Sequence, residues 1–189
     1  TSGTRMVVRV FGGFDFATKP GDKDWTRVGY KKGVPMGGDL RRAAKGAAPQ
    51  LLIAASKDPN SGNLDRIQVI KGWVDAAGKT HDRIYDVAWS GNRRIGSDGK
   101  LPAVGNSVDV KNASYTNTIG SPELATVWID PDFDRSVPAF YYVRVLEIPT
   151  PRWSTYDAKA LGIDPPKDCP ATIQERAWSS PIWYTPGGI

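Results

Sequence analysis

The chain has 189 residues, of which 40% are hydrophobic and 24% are charged, a composition typical of a globular protein and not of a disordered one. A single cysteine excludes a disulfide within the chain, and a single histidine excludes zinc sites built from several histidines. No apolar run approaches the ~20 residues of a membrane span, so we expect no membrane partner.

Residues 1–49 are predicted to form an N-terminal strand, with Arg5–Phe11 as its candidate, followed by a long basic loop. Residues 14–49 show no sustained hydrophobic period, and a loop of this length usually serves an interface or a site. Because the first strand starts almost at the first residue, we expect the chain to be a piece of a longer protein.

The net charge of +5 is concentrated in this first part. Residues 1–46 hold ten Lys or Arg and four Asp or Glu. The excess lies among Gly, Ala and Pro, without the interleaved aromatic residues of a base-stacking surface, so we do not expect nucleic acid as a partner. A solvated loop is one interpretation. The other is an interface, with Lys31, Lys32, Arg41 and Arg42 as candidate contact residues.

Residues 50–189 are predicted to form an all-β domain, mainly β in content, built as an antiparallel β-sandwich with long loops. The clearest unit is a hairpin of Arg66–Val74 and Arg83–Trp89, because both segments alternate apolar and polar residues across a glycine-containing connection. About seven short strands with turn signals between them favour a sandwich. One or two short helices are predicted over 154–161 and 172–178, with Ser154 and Thr172 as their caps.

Ala139–Ile148 is predicted to be the central strand of the sandwich. Both of its faces are mainly apolar, so we expect it to be covered on both sides. Arg144 would then be a structural residue that reaches a carboxylate on a neighbouring strand or a loop carbonyl, because an unpaired buried charge is costly. Pro149 and Pro151 end the strand and place Trp153 at the rim, where it would close the core or meet another domain.

The sequence offers few candidates for catalysis or metal binding. The only histidine, His81, sits beside the hairpin turn, which predicts an exposed residue and not a catalytic base. Asp130, Asp132 and Asp134 resemble the start of a calcium loop, but the glycine and the bidentate glutamate of an EF-hand are missing. A looser divalent-metal site at these three aspartates is one alternative. A capped turn is the alternative that we expect. We assign no catalytic or cofactor-binding residue.

Seven tryptophans are a high number for this length, and tryptophan is common in cores, interfaces and sugar-binding surfaces. Trp73, Trp89 and Trp128 lie in predicted strands, where we expect them in the core. Trp25 and Trp153 lie in predicted loops and are therefore the candidates for a binding surface.

Several long segments resemble the C-terminal part of a bacterial family catalogued as domain of unknown function 3604. They extend over essentially the whole chain: "TSGTRMVVRVFGGFDF", "YKKGVPMGGDL", "DRIQVIKGWVDAAGKTHDRIYDVAWS", "SYTNTIGSPELATVWIDPDFD", "FYYVRVLEIPTPRWSTYDA" and "TIQERAWSSPIWYTP". The resemblance implies a larger protein whose upstream part is similar to the polymerase-and-histidinol-phosphatase (PHP) metallohydrolases. It implies that any divalent metal and its ligands lie in that upstream catalytic domain, which is the expected partner. It also favours a periplasmic or secreted location.

Three hypotheses follow. The first is a non-catalytic β-sandwich that packs against the catalytic barrel of a PHP-like metal-dependent hydrolase. The second is an accessory module that binds a polymer or carbohydrate through Trp25 and Trp153. The third is a metal-assisted hydrolase in its own right, which would use Asp130, Asp132 and Asp134.

Overall fold

The computed structural model describes residues 1–41 and 43–187. The fold is mainly β, with 37% strand and 9% helix. The strands are β1 (Val7–Gly13), β2 (Val34–Pro35), β3 (Asp39–Leu40), β4 (Gln50–Ser56), β5 (Leu64–Val74), β6 (Thr80–Trp89), β7 (Glu123–Ile129), β8 (Ala139–Glu147), β9 (Thr150–Pro151), β10 (Thr172–Ile173), β11 (Arg176–Trp178) and β12 (Ile182–Tyr184). The helices are α1 (Trp25–Lys32) and α2 (Trp153–Leu161).

Two sheets form the two layers of the sandwich. The small sheet has the order β2-β1-β4-β7 and is antiparallel throughout. The large sheet has the order β3-β12-β8-β5-β6, and β11 also pairs with β8. The predicted hairpin is its longest unit, since β5 pairs antiparallel with β6 from Arg66 to Val74, with one register shift after Ile67. The predicted antiparallel β-sandwich is therefore confirmed.

The core lies between the two sheets and takes alternate residues from each strand. Ile53 of the small sheet and Val69, Val143 and Val145 of the large sheet have no exposed surface. The period of two explains this, because every second side chain of a strand points to the same face. Tyr141 reaches across to Trp128 of β7, with 6.1 Å between the ring centroids.

Helix α1 covers the outer surface of the small sheet. Phe11 and Leu52 point away from the main core and are buried beneath the helix, where the Phe11 ring meets Trp25 edge to face at 5.8 Å. Gly29 permits this contact, because a Cβ atom at that position would lie only 2.5 Å from the Phe11 ring. The small sheet is thus covered on both sides at β1 and β4.

Residues 14–49 are more ordered than their sequence suggests. The prediction of an irregular loop is wrong for residues 25–32, which form α1, and for the short strands β2 and β3, which join the two sheets. Leu40 and Ala43 are buried in the main core. The segment has no hydrophobic period because its elements are short and each buries only a few side chains.

The central strand β8 is flanked by β5 on one side and by β11 and β12 on the other, as predicted. The expectation that both of its faces are covered is wrong. Its buried residues alternate with half-exposed ones, which are Phe140, Tyr142, Arg144 and Leu146. These four side chains lie on the side of the large sheet opposite the core, because the small sheet covers only the other side.

The two helix predictions had different outcomes. The helix predicted over 154–161 is α2, although Arg152 is its N-cap and no side chain caps it. The helix predicted over 172–178 is wrong, because this segment pairs as β10 with β9 and as β11 with β8. None of the helices among the described residues is long and apolar enough to cross a membrane.

Candidate functional site

The surface of the large sheet that faces away from the core is the main candidate for binding, and we call it the outer face. Cross-strand pairing sets its rows, since residues directly opposite each other share a face. One row runs Asp82, Gly72, Phe140, Trp183 and Asp39 across five strands. Four residues away along β8, a second row contains the pairs of Arg144 with Gln68 and with Trp178.

The first row contributes to a groove of about 470 Å³, which we call the aromatic groove. Val74, Phe140 and Trp183 are among the side chains at the groove, and Trp183 is 46% exposed. The rings of Phe140 and Trp183 lie 5.3 Å apart. Gly72 makes room for the Phe140 ring, because a Cβ atom there would lie 2.3 Å from it. The arrangement leaves a contiguous apolar surface open to solvent.

The second row contains an ordered polar network. Arg144 donates hydrogen bonds from Nε and Nη2 to Oε1 of Gln68, at 2.9 and 2.7 Å. Gln68 in turn donates from Nε2 to Asp86, at 2.8 Å. The predicted partner of Arg144 was a carboxylate on a neighbouring strand or a loop carbonyl. The observed one is a side-chain amide on the neighbouring strand β5, and the guanidinium is half-exposed and not buried.

Charge is unevenly balanced around this network. Asp65 is buried and pairs with Arg66 at 3.1 Å and with Arg93 at 2.6 Å. Arg66 also approaches Asp86 at 3.4 Å, so these four groups neutralise one another. Arg144 and Arg176 have no carboxylate within 4.0 Å in the described part of the chain, although both are near the same cavity of about 320 Å³.

Three of the predicted basic contact residues lie together. Lys31 and Lys32 at the end of α1, and Arg41 after β3, line a pocket of about 360 Å³ beside Gly12 and Gly13. We call it the basic pocket. All three cations are exposed. The fourth predicted residue, Arg42, lies outside the described residues.

The two tryptophans predicted to be at the surface have different environments. Trp25 is half-buried in α1, where it packs on Phe11 and helps to hold the helix on the small sheet. Trp153 is the first residue of α2 and is 72% exposed. The prediction that Trp153 closes the core is therefore wrong, whereas its role as an interface residue stays a prediction.

The three aspartates predicted as alternative metal ligands are engaged within the protein. Asp130 is fully buried, pairs with Lys71 at 2.7 Å and accepts a hydrogen bond from Tyr141 Oη at 2.7 Å. Asp132 pairs with Arg83 at 2.6 Å. Asp134 accepts from Ser136, which lowers the pKa of this carboxyl. Across residues 1–41 and 43–187, no cluster of three or more His, Cys, Asp or Glu could hold a metal ion.

Asp130 and Asp132 each accept a hydrogen bond from a tyrosine, Asp130 from the buried Tyr141 and Asp132 from the partly exposed Tyr85. Burial, together with the nearby Asp130 carboxylate, raises the pKa of Tyr141 far above its usual value. Burial and the hydrogen bond to Asp132 raise that of the Tyr85 hydroxyl as well, so its pKa also lies above the ordinary range. Both hydroxyls therefore act as hydrogen-bond donors and hold the turn between β7 and β8 in place.

His81 is not the free turn residue that we predicted. It lies in β6, stacks on Trp73 with 5.2 Å between ring centroids, and its Nε2 is 2.8 Å from Asp75. The imidazole is therefore held by the hairpin itself. Cys169 is half-buried, and its thiol lies 3.7 Å from the hydroxyl of Ser154.

Glu147, at the end of β8, is a fully buried carboxyl that forms no ion pair with any residue the structure describes. Ser61 donates a hydrogen bond to Oε2 at 2.7 Å, and Oε1 has no hydrogen-bond partner among the residues that the structure describes. Burial raises the pKa of this carboxyl, and the nearby hydroxyls of Ser61 and Thr4 oppose the rise. Glu147 has no exposed surface, so its carboxyl belongs to the interior of the fold.

Sequence analysis missed the outer face as a surface. The signal was available, because Arg176, Trp178 and Trp183 follow a strand with an arginine at its centre. Arg176 and Trp178 lie in 172–178, where the capping pattern predicts a helix, and the apolar pattern of Ala139–Ile148 predicts that both of its faces are covered. Once β11 and β12 are placed beside β8, these aromatic and basic residues share one face.

Of the three comparisons with known proteins, only the one with family models found a match. No curated protein and no solved structure matched the chain. A family model described as "Protein of unknown function (DUF3604)" matches residues 1–186, which is nearly the whole chain. The chain therefore belongs to the DUF3604 family.

Proposed function

We propose that this chain is a non-catalytic β-sandwich domain that packs through its aromatic groove against a catalytic domain preceding it in the same protein. The observation that carries the proposal is the contiguous apolar surface formed by Val74, Phe140 and Trp183, which the sandwich itself leaves uncovered. Apolar surfaces of this kind, bordered by polar residues, are typical of contacts with another protein domain.

The asymmetry of the sandwich supports the same proposal. The small sheet has α1 on its outer surface, so a second layer already shields Phe11 and Leu52 from water. Neither helix of the described residues contributes a residue to the groove beside Phe140 on the outer face of the large sheet. A neighbouring domain would supply that missing layer over the aromatic groove, because apolar residues on the face of a sheet are normally covered.

The proposed partner is the upstream PHP-like metallohydrolase domain that the sequence resemblance implies. Any divalent metal and any catalytic residues of the complete protein would belong to that domain. In support, Asp130, Asp132 and Asp134 already have partners within the sandwich, and the cation Lys71 is buried against Asp130. Recruiting these carboxylates to a metal would break the buried ion pair.

Hydroxyl-radical footprinting tests the proposal. The 189-residue chain and the complete product of its gene are oxidised in parallel, and the labelling of each tryptophan is measured by mass spectrometry. Trp183, which is 46% exposed in the chain, is expected to lose most of its labelling in the complete protein. Trp178, which is also 46% exposed but lies on β11, is the internal control and should be labelled equally in both.

Three results would refute the proposal. A gene product with no further domain would remove the partner. Equal labelling of Trp183 in both proteins would show that the aromatic groove stays open. Protection of Trp153 instead of Trp183 would place the contact on α2.

For the metal, elemental analysis of the chain should find less than one equivalent of Zn²⁺ or Mn²⁺. Tightly bound metal with activity that a chelator abolishes would support an enzyme in its own right.

A further inference from the structure

We propose that Arg144, Arg176 and Trp178 form a binding site for an acidic saccharide, in which the two guanidinium groups hold a carboxylate and the indole stacks on the sugar ring. This site lies on the outer face beside the cavity of about 320 Å³, four residues along β8 from the aromatic groove. It is separate from the proposed domain contact, so either proposal can fail without the other.

The backbone pairing places the three side chains together. Trp178 is directly opposite Arg144 in the antiparallel pair of β11 and β8, so both point to the outer face. Arg176 lies two residues before Trp178 and shares its face, while Ala177 between them is buried in the core. The site therefore combines two cations and an indole that is 46% exposed.

Arg144 is held in place before any ligand arrives. Two of its nitrogens donate to Gln68 Oε1, and Gln68 is itself fixed by its bond to Asp86. The Nη1 group makes no hydrogen bond to the described residues and remains free to donate. Arg176 forms no side-chain hydrogen bond or ion pair within that same part of the chain. One guanidinium that is held in place, beside a second that is exposed, suits a carboxylate, which accepts two charge-assisted hydrogen bonds at once.

The remaining lining favours a hydroxyl-rich ligand. Gln174 donates from Nε2 to Asp65 at 3.0 Å and to the Glu147 carbonyl at 2.8 Å, which leaves its Oε1 as an acceptor. Leu146 is the one apolar residue among those that line the cavity. A contact with a protein segment would instead be expected to have an apolar centre. A sugar ring fits this site, because its hydroxyls can form hydrogen bonds with the polar side chains and its C–H face can pack on the Trp178 indole.

Isothermal titration calorimetry of the 189-residue chain at low ionic strength tests the proposal, with trimers of galacturonate and of mannuronate as probes. At least one trimer is expected to bind with Kd below about 1 mM. Its methyl ester, which has the same ring and no charge, should bind at least tenfold more weakly. Arg144→Gln, Arg176→Gln and Trp178→Ala should each weaken binding by roughly tenfold.

Matched controls keep the result interpretable. Arg41→Gln removes an exposed cation of the basic pocket and should leave the affinity unchanged, because that pocket shares no lining residue with the cavity at Arg144. Urea unfolding of every variant checks that the fold is kept. The proposal is overturned if neither trimer binds, if the ester binds equally well, or if hexaglutamate binds as tightly and does not depend on Trp178. The last outcome would instead indicate an acidic protein segment. An unchanged affinity in Arg144→Gln would also count against the proposal. Arg144 would then have only the structural role that the sequence predicts.

Discussion

Replacement of Lys71 by Met should be the most destabilising single change among the charged residues of this protein. The ammonium group lies 2.7 Å from Asp130, and the two side chains are 5% and 0% exposed. Lys71 also donates to the carbonyl of Asp132 at 2.8 Å. Methionine keeps the length of the side chain but removes the charge, so the Asp130 carboxylate would stay buried with only neutral donors. Breaking a buried pair in this way typically costs about 3–5 kcal/mol.

Urea unfolding followed by tryptophan fluorescence measures this cost. With a dependence on urea of about 2 kcal/mol per molar, the midpoint should fall by roughly 1.5–2.5 M. A second change, Asp130→Asn in the Lys71→Met background, removes the orphaned charge and should recover part of the loss. Such a recovery would show that the unpaired Asp130 carboxylate, and not the change in side-chain packing at position 71, causes the destabilisation.

Arg83→Met is the matched control. Arg83 pairs with Asp132 at 2.6 Å, a distance as short as that of the buried pair, but the two side chains are 58% and 48% exposed. Solvent screening reduces such a pair to about 0–1 kcal/mol. If Lys71→Met lowers the midpoint no more than Arg83→Met does, the reasoning from burial is refuted.

Two further changes test other parts of the fold. Burial raises the pKa of Glu147 above its ordinary value of 4.5, so its contribution to stability is complete below that value and is lost as pH rises through the folded-state pKa. Glu147→Gln should therefore unfold at a higher urea concentration than the wild type at pH 7, with a difference that shrinks towards pH 4; a difference that does not change with pH would contradict this. Trp153→Ala should change the free energy of unfolding of the chain by less than about 0.5 kcal/mol, because the indole is 72% exposed. A larger loss in calorimetry would show that α2 depends on it.

The architecture could be predicted because strand patterns are local. In the hairpin of β5 and β6, apolar and polar residues alternate along both strands, and a glycine-containing connection joins them. The structure has both strands and pairs them as predicted. The central position of β8 was also readable from its apolar length. Whether both faces of β8 are covered could not be predicted, because Phe140 and Tyr142 are equally compatible with a half-exposed face and with a buried one.

The candidate site could not be predicted because it depends on long-range pairing. Trp178 becomes a neighbour of Arg144 only when β11 is placed beside β8, and nothing in either segment specifies that register. The helix cap predicted at Thr172 is misleading for the same reason. Glu175 in fact bonds the hydroxyl of Ser2, at the other end of the chain, and the segment is held by strands instead of by a helix.

The pairing of β3 with β12 has a consequence for how the protein must fold. These two short strands are parallel and join Asp39 and Leu40 to Trp183 and Tyr184. A second contact, between Ser2 and Arg176, spans 174 residues. The large sheet therefore gains its last strands only after nearly the whole chain has been synthesised, and until then Leu40 and the edge of β8 have no partner. Such distant contacts slow folding, because a large loop must close before they form. Chains interrupted before Ile182 should consequently expose an unpaired strand edge and be prone to associate with one another.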